Sequence, residues 1–239
     1  MTSLVLINLF LLLITLSIAV YLVKNQERFQ QRSVLPVYII SLPRRNQRLA
    51  SLLQRMKPST DYHIRHVYAV NGKEFIEGFE EPLRAGQIGC WLSHITMWEM
   101  IAKQSEPYAL VLEDDADIQL PQQMERIQNE IANLPSDWKI LLLGGHVVSP
   151  DRQLKITDTI VKPNGTTYHT HAYIIKQSVA QDLARRTQQF KDQHNRRDWK
   201  MLPIDDWLSE PSTGLLDGFY VIQPNLVSFI ADSVSDTNE

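Results

Sequence analysis

A single cysteine, Cys90, is all the thiol that the 239-residue chain carries. An intrachain disulfide framework is therefore excluded, and so is any zinc site that needs two or more cysteines from this chain. Nine glycines are too few for a collagen-like or glycine-rich architecture, and there is no internal repeat. Positive charge is not in excess: the formal net charge is −3, so no global basic field draws the chain to nucleic acid. A P-loop, a dinucleotide-binding glycine fingerprint, a serine-hydrolase elbow and a zinc-protease HExxH helix are all missing. What remains, 44% hydrophobic and 21% charged residues, fits a folded globular chain of one domain plus an appendage.

The appendage is N-terminal. Leu4 to Val23 carries no charge, and its polar side chains are Asn8, Thr15, Ser17 and Tyr21. At about 1.5 Å per helical residue this run spans a hydrocarbon core of ~30 Å, so residues 1–23 are expected to form a single membrane anchor. Lys24, Arg28 and Arg32 follow the run and no Lys or Arg precedes it, which places the remainder of the chain on the cytoplasmic face, with a luminal arrangement as the alternative. Residues 24–35 read as a polar linker, 36–236 as one folded domain, and 237–239 as a tail.

Within that domain, strand and helix patterns alternate. Val37–Leu42, His66–Val70, Tyr108–Leu112, Trp138–Leu143 and Ala172–Ile175 are apolar, β-branched runs of strand length. Segments 44–56, 86–103, 121–134 and 178–188 carry helical periodicity. Residues 146–167 read as a loop or small hairpin region, and 219–223 and 226–230 as late strands around Pro224. Apolar strands that do not alternate with polar residues predict an α/β fold with a mostly parallel central sheet covered on both faces. Ligands in such sheets sit beyond the carboxyl ends of the strands, so the residues after Leu42, Leu112 and Leu143 are the ones to inspect.

The strongest chemical signal lies after Leu112. Glu113, Asp114, Asp115 and Asp117 place four carboxylates within five residues. Such a group repels itself unless a cation intervenes, and Mg²⁺ or Mn²⁺ suits one or two carboxylates while leaving room for phosphate oxygens. If the strand continued, Glu113, Asp115 and Asp117 would share one face and Asp114 the other. Asp115 and Asp117 are therefore candidate metal ligands, and His171, which shares a face with His169 if that segment is extended, is a candidate third. Arg44, Arg45 and Arg48 follow the first strand, where guanidinium groups can bind a diphosphate. Asp205 and Asp206 are candidates for a general base, one of them accepting a proton from an attacking hydroxyl.

Several motifs stand in a definite order: Val37-Tyr-Ile-Ile-Ser-Leu-Pro-Arg-Arg45 with Arg48, Val67-Tyr-Ala-Val-Asn-Gly72, and Gly86-Gln-Ile-Gly-Cys-Trp-Leu-Ser-His94 with Trp98. Ala109-Leu-Val-Leu-Glu-Asp-Asp115, Leu141-Leu-Leu-Gly144, Thr170-His-Ala-Tyr-Ile-Ile175, Pro203-Ile-Asp-Asp206 and Pro224-Asn-Leu-Val227 follow. This ordered set resembles glycosyltransferase family 25, the lipopolysaccharide and lipooligosaccharide sugar transferases related to collagen galactosyltransferases. The resemblance implies a nucleotide-sugar-binding fold of the GT-A, Rossmann-like type. It implies Mn²⁺ or Mg²⁺, a donor such as UDP-galactose, and inverting transfer of a hexose to a glycan, lipid-linked or protein-linked acceptor. Ser93 and His94 would join Arg44, Arg45, Arg48, Glu113 and Asp114 in donor binding. Two positions depart from the family pattern: Gln47 stands where Asp is common and Gln87 where Glu is common. These departures keep alive an inactive, membrane-tethered binder of glycan or nucleotide sugar. A metal-dependent phosphohydrolase or nuclease is the rival from another class.

Overall fold

The computed structural model describes residues 14, 15, 17, 34–74, 84–188 and 202–230. The chain divides into two units, Met1–Val34 and Leu35–Glu239, and the sheet belongs to the second. Ile14, Thr15 and Ser17 are helical and exposed. The rest of the expected membrane anchor, most of the 24–35 linker and the 237–239 tail lie outside the described residues. Among the described residues, no helix is long and apolar enough to cross a membrane.

The strands are β1 (Leu35–Ser41), β2 (Tyr62–Tyr68), β3 (Tyr108–Glu113), β4 (Ala116–Asp117), β5 (Ile140–Leu142), β6 (His146–Val147), β7 (Leu154–Lys155), β8 (Ile160–Lys162), β9 (Thr167–Tyr168), β10 (Ala172–Lys176), β11 (Phe219–Ile222) and β12 (Ser228–Phe229). The helices are α1 (Asn46–Met56), α2 (Ala85–Ala102), α3 (Leu120–Ala132), α4 (Gln177–Thr187) and the single turn α5 (Ile204–Leu208). Eight strands form one sheet in the order β2-β1-β3-β10-β5-β11-β8-β7, while β12–β4 and β6–β9 are separate two-stranded pairs.

The sheet is mostly parallel in strand direction and mixed in pairing. β1–β2, β1–β3 and β5–β11 pair parallel; β3–β10, β10–β5, β11–β8 and β8–β7 pair antiparallel. β10 and β8 alone therefore run against the other strands of the sheet. The reversal of β10 has a local cause. No α-helix lies between β5 and β10, and a parallel return is usually made through a helix. The chain comes back instead through the short pairs of residues 146–168.

Side chains of the central strands alternate between two cores. Tyr38, Ile40, Val111, Tyr173 and Ile175 pack with Trp91, Trp98, Ile101 and Leu183 of α2 and α4. Val37, Ile39, Leu110, Leu112 and Ile174 pack with Leu52, Met56, Met124 and Ile127 of α1 and α3. Each such Ile or Leu stabilises the fold by roughly 1.5–3 kcal/mol on burial, so the expected two-sided covering is also the main source of stability. Helix α2 is buried along most of its circumference, as an apolar helix between sheet and helices must be. Two glycines allow its entry: a Cβ on Gly72 would collide with the Ala85 carbonyl, and one on Gly89 would lie 2.6 Å from the Val70 carbonyl.

Candidate functional site

The carboxyl ends of β1, β2 and β3 lie at one edge of the sheet because the three strands are parallel and in register, from Val37↔Leu110 to Ile40↔Glu113 on one side of β1 and up to Ser41↔Tyr68 on the other. A cavity opens there. It is lined by Leu42, Val70 and Asn71, by the cationic Arg44, Arg45 and Lys73, and by Ala85, Gly86 and Gly89 from the first turns of α2. Cationic side chains and the amino end of an 18-residue helix thus face a cavity that Glu113, Asp114 and Asp115 also line. A second cavity adjoins it, lined by Tyr168, His169, His171, Asp205, Asp206 and Phe229 among others. Cys90, Glu113 and Asp115 border both, so the acidic turn and one face of α2 form the wall between them.

The acidic cluster does not continue as a strand. β3 ends at Glu113, Asp114 and Asp115 form a turn, and Ala116–Asp117 pairs with β12 instead. The expected alternation is thereby broken, and the four carboxylates part company. Asp114 is buried and accepts a 2.7 Å hydrogen bond from Ser41 Oγ, with Arg48 Nη1 3.7 Å from its other oxygen. Arg48 is thus directed to Asp114, and neither cavity includes it among its lining residues. Asp117 is half-exposed and sits 3.6 Å from Arg55 Nε, outside both cavities. Asp115 and Glu113 remain on the dividing wall.

Glu113 is held by two neighbouring side chains. Thr170 Oγ1 donates to its Oε1 at 3.0 Å, and His94 Nε2 lies 3.5 Å from the same oxygen. Burial works to raise the Glu113 carboxyl. The donor hydrogen of His94, the fields of His94 and His171 and the Thr170 hydroxyl outweigh it and hold the group below the usual carboxylate range.

The neighbours of His94 set its tautomer. Trp98 Nε1 donates to Tyr173 Oη at 3.0 Å, and Tyr173 Oη lies 2.8 Å from His94 Nδ1. Burial raises the Tyr173 phenol far above its ordinary value, so it keeps its proton. Its oxygen accepts from Trp98 and its proton goes to Nδ1, which leaves the imidazole hydrogen on Nε2, facing Glu113. His171 has the opposite arrangement. Its Nε2 meets the Val227 carbonyl at 3.2 Å and donates to it, while its buried Nδ1 has no hydrogen-bond partner. Desolvation lowers the pKa of His171 and favours the neutral ring. Gly144 makes room for this contact, since a Cβ there would lie 2.7 Å from His171 Nε2 and would collide with the Val227 carbonyl.

Two donor sets could hold a divalent cation. Among the described residues, the one group of three whose ligand atoms all lie within 4.8 Å of one another is Cys90, His94 and Glu113. It fits poorly as it stands. The Cys90 thiol is pushed up by burial and by the charges of Glu113 and Asp205, and His94 turns an N–H toward the group. The oxygens of Glu113 and Asp115 and the unpartnered Nδ1 of His171 are donor types that a divalent cation takes, and all three residues line the second cavity, but they do not converge to that spacing. The expected ligand set of Asp115, Asp117 and His171 does not converge to that 4.8 Å spacing, because Asp117 is turned to Arg55.

On the far side of the second cavity, α5 presents Asp205 and Asp206. The two are not equivalent. Asp205 Oδ2 accepts the backbone N–H of His169 at 3.1 Å, and its Oδ1 accepts that of Asp206 at 3.1 Å. Asp206 is raised above the usual carboxylate range by burial and by the neighbouring charge of Asp205. Ser93 also differs from expectation. It lines the first cavity, but its Oγ accepts the Val70 N–H at 2.8 Å and donates to the Gly89 carbonyl at 2.6 Å, clasping α2 to the end of β2. Cys90, Thr170, Tyr173, Lys73 and Phe229 join the site without having been singled out as site residues. Cys90, Thr170 and Tyr173 sat inside matched motifs, and Lys73 directly follows one.

Residues 34–208 match the model of Glycosyltransferase family 25 (LPS biosynthesis protein). The human protein named inactive glycosyltransferase 25 family member 3 is 28% identical over 191 residues, covering 72% of this chain and 31% of the relative. Human procollagen galactosyltransferase 2 is 25% identical over 194 residues, covering 72% of this chain and 29% of the relative. The chain thus spans about a third of the length of the curated relatives it matches. Among solved structures, the apo form of mouse xyloside xylosyltransferase 1 aligns with a TM-score of 0.39 at 12% identity, covering 79% of this chain and 71% of that one.

Proposed function

Because the chain belongs to glycosyltransferase family 25, we propose that its two adjoining cavities receive a nucleotide-sugar donor and a hydroxyl-bearing acceptor, and that it transfers a hexose between them with inversion. The observation that carries this reading is the shared wall of Glu113 and Asp115. On one side lie Arg44, Arg45, Lys73 and the amino end of α2, and on the other Asp205 and Asp206. A UDP-hexose, UDP-galactose first among them, places its diphosphate on the cationic side. Its anomeric carbon then faces the acidic side.

Asp206 is the base in this scheme. Both oxygens of Asp205 are occupied by backbone N–H groups, whereas the raised pKa of Asp206 suits a proton acceptor. Asp206 takes the proton of the acceptor hydroxyl as that oxygen bonds to the anomeric carbon. The bond from that carbon to the diphosphate oxygen breaks, and its electron pair leaves with UDP. Glu113 and Asp115 favour positive charge developing on the sugar. Glu113, Asp115 and His171 are the residues that would have to draw together to hold Mn²⁺ or Mg²⁺, which would then supply positive charge near the departing diphosphate. Arg44 and Arg45 add to that field from the protein itself.

The uncharged run Leu4–Val23 followed by Lys24, Arg28 and Arg32 supports a membrane anchor with the transferase unit on the cytoplasmic face. An inactive binder is the second reading, favoured by Gln47 and Gln87 and by the presence of an inactive member among the relatives. Gln87 lines the acceptor cavity and accepts the Arg84 N–H at 2.9 Å, a helix-capping role that Glu would fill equally. A panel of UDP-sugars separates the two readings. The full chain is incubated with Mn²⁺, Mg²⁺ or EDTA and assayed for UDP release with and without sugar acceptors. Metal-dependent, acceptor-stimulated release from one donor is expected. UDP-hexose binding without release under every condition would overturn the transferase reading in favour of the binder.

A further inference from the structure

The acceptor cavity is acidic on one wall and aromatic on another. Phe229 is 45% exposed and Tyr168 39% exposed, and both line the cavity with Asp205 and Asp206. The Phe229 ring lies 5.1 Å from that of His169 and 5.7 Å from that of His171. An open phenylalanine ring is ordinary on a surface when isolated. This one is built into the site. Phe229 is the register partner of Ala116 in the β12–β4 pair, and the next residue, Ile230, donates its N–H to the Asp115 carbonyl at 3.0 Å. The backbone that carries the acidic turn therefore also positions the ring. His169, beside it, adopts φ +77° and is tied through its N–H to Asp205. That left-handed conformation is uncommon for a residue other than glycine and is held here by the carboxylate.

A ligand that satisfies this cavity needs an apolar face for the ring and hydroxyls on its edge for the carboxylates and imidazoles. A pyranose has both: its axial C–H bonds form an apolar face, and its equatorial hydroxyls point outward. Aromatic rings attract such polarised C–H groups through their negative faces. We propose that Phe229 is the platform of an acceptor subsite and that the acceptor is a pyranoside, stacked on this ring with one hydroxyl directed at Asp206. The inference rests on the transferase reading for the word acceptor, but the binding it describes does not require turnover.

Ligand-observed saturation-transfer NMR on the full chain, with UDP present, tests it using methyl β-D-galactopyranoside and methyl β-D-glucopyranoside as probes. Saturation is expected on the ring C–H protons of at least one glycoside, with binding weakened tenfold or more in Phe229→Ala and preserved in Phe229→Trp. UDP affinity should be the same in all three proteins. Phe229→Leu, which keeps apolar bulk without a ring, should lose the glycoside as Phe229→Ala does, and it serves if the alanine variant does not fold. Equal glycoside binding in wild type and Phe229→Leu would overturn the proposal. So would the absence of glycoside binding in wild type, whether or not a hydroxylysine-containing peptide binds in its place. Failure of the transferase reading looks different: glycosides still bind through Phe229, but no UDP-sugar is turned over.

Discussion

The Tyr173 hydroxyl lies 2.8 Å from His94 Nδ1, although 79 residues separate them in the chain. Through this contact a strand of the sheet decides which nitrogen of a helix residue carries the proton. Tyr173 is itself fixed by Trp98, so a chain of polar contacts runs from Trp98 through Tyr173 and His94 to the Glu113 carboxylate, on the wall between the cavities. Removing the hydroxyl in Tyr173→Phe leaves the indole N–H and Nδ1 buried without partners. Chemical denaturation should show a loss of about 1–3 kcal/mol. The His94 ring nitrogens in ¹⁵N NMR should lose the signature of a single fixed tautomer, which a merely space-filling role for Tyr173 would not disturb.

Asp206 titrates above the usual carboxylate range because it is partly buried and because Asp205 is charged beside it. As a base it works ionised, so turnover should rise with pH through its pKa and level off above. In Asp205→Asn the repulsion from Asp205 is gone, ionisation of Asp206 becomes easier, and the acidic limb of the kcat profile should move to lower pH. In Asp206→Asn that limb and most of the activity should vanish together. A limb that stays in place in Asp205→Asn would assign it to another group.

Asp115 and Asp117 are two residues apart and should behave in opposite ways. Asp115 borders both cavities, whereas Asp117 is half-exposed beside Arg55. Asp117→Asn should leave kcat/KM within about twofold and cost at most ~1 kcal/mol, as a half-exposed ion pair does. Asp115→Asn should lower kcat by roughly 100-fold or more, the scale for removing one group that faces developing charge. Equal losses in the two variants would contradict the separation seen at the turn.

Gly144 has no room for a side chain between Val227 and His171. Gly144→Ala should cost about 1–3 kcal/mol, the usual scale of forced overpacking. It should also break the contact between His171 Nε2 and the Val227 carbonyl, so that both tautomers of His171 appear. The expected readouts are a lower melting temperature and weaker Mn²⁺ affinity, with UDP affinity in metal-free buffer nearly unchanged.

Much of this was legible in the chain. The apolar runs at 37–42 and 108–112 announced strands buried on both faces, and the ligand edge beyond them is where the first cavity opens. The acidic run was correctly placed at that edge. Its geometry was not, because the alternation rule holds only while a strand persists, and the turn at Asp114 and Asp115 ends it. The direction of β10 was missed for a similar reason. A strand pattern carries no direction, although the missing helix between β5 and β10 pointed to an antiparallel return. The distinction between Asp205 and Asp206 depends on the backbone of His169, and the two imidazole tautomers on Tyr173 and the Val227 carbonyl. Such pairings join residues tens of positions apart and leave no local signature.

The wall of Cys90, Glu113 and Asp115 belongs to two compartments at once. Occupants on either side of a common partition share its charge and its conformational freedom, so their affinities are thermodynamically linked. Whatever factor UDP applies to the dissociation constant of a glycoside, the glycoside must apply to that of UDP. Titrating each ligand in the presence and absence of the other closes a four-state cycle, and its coupling constant measures how stiffly the partition is held.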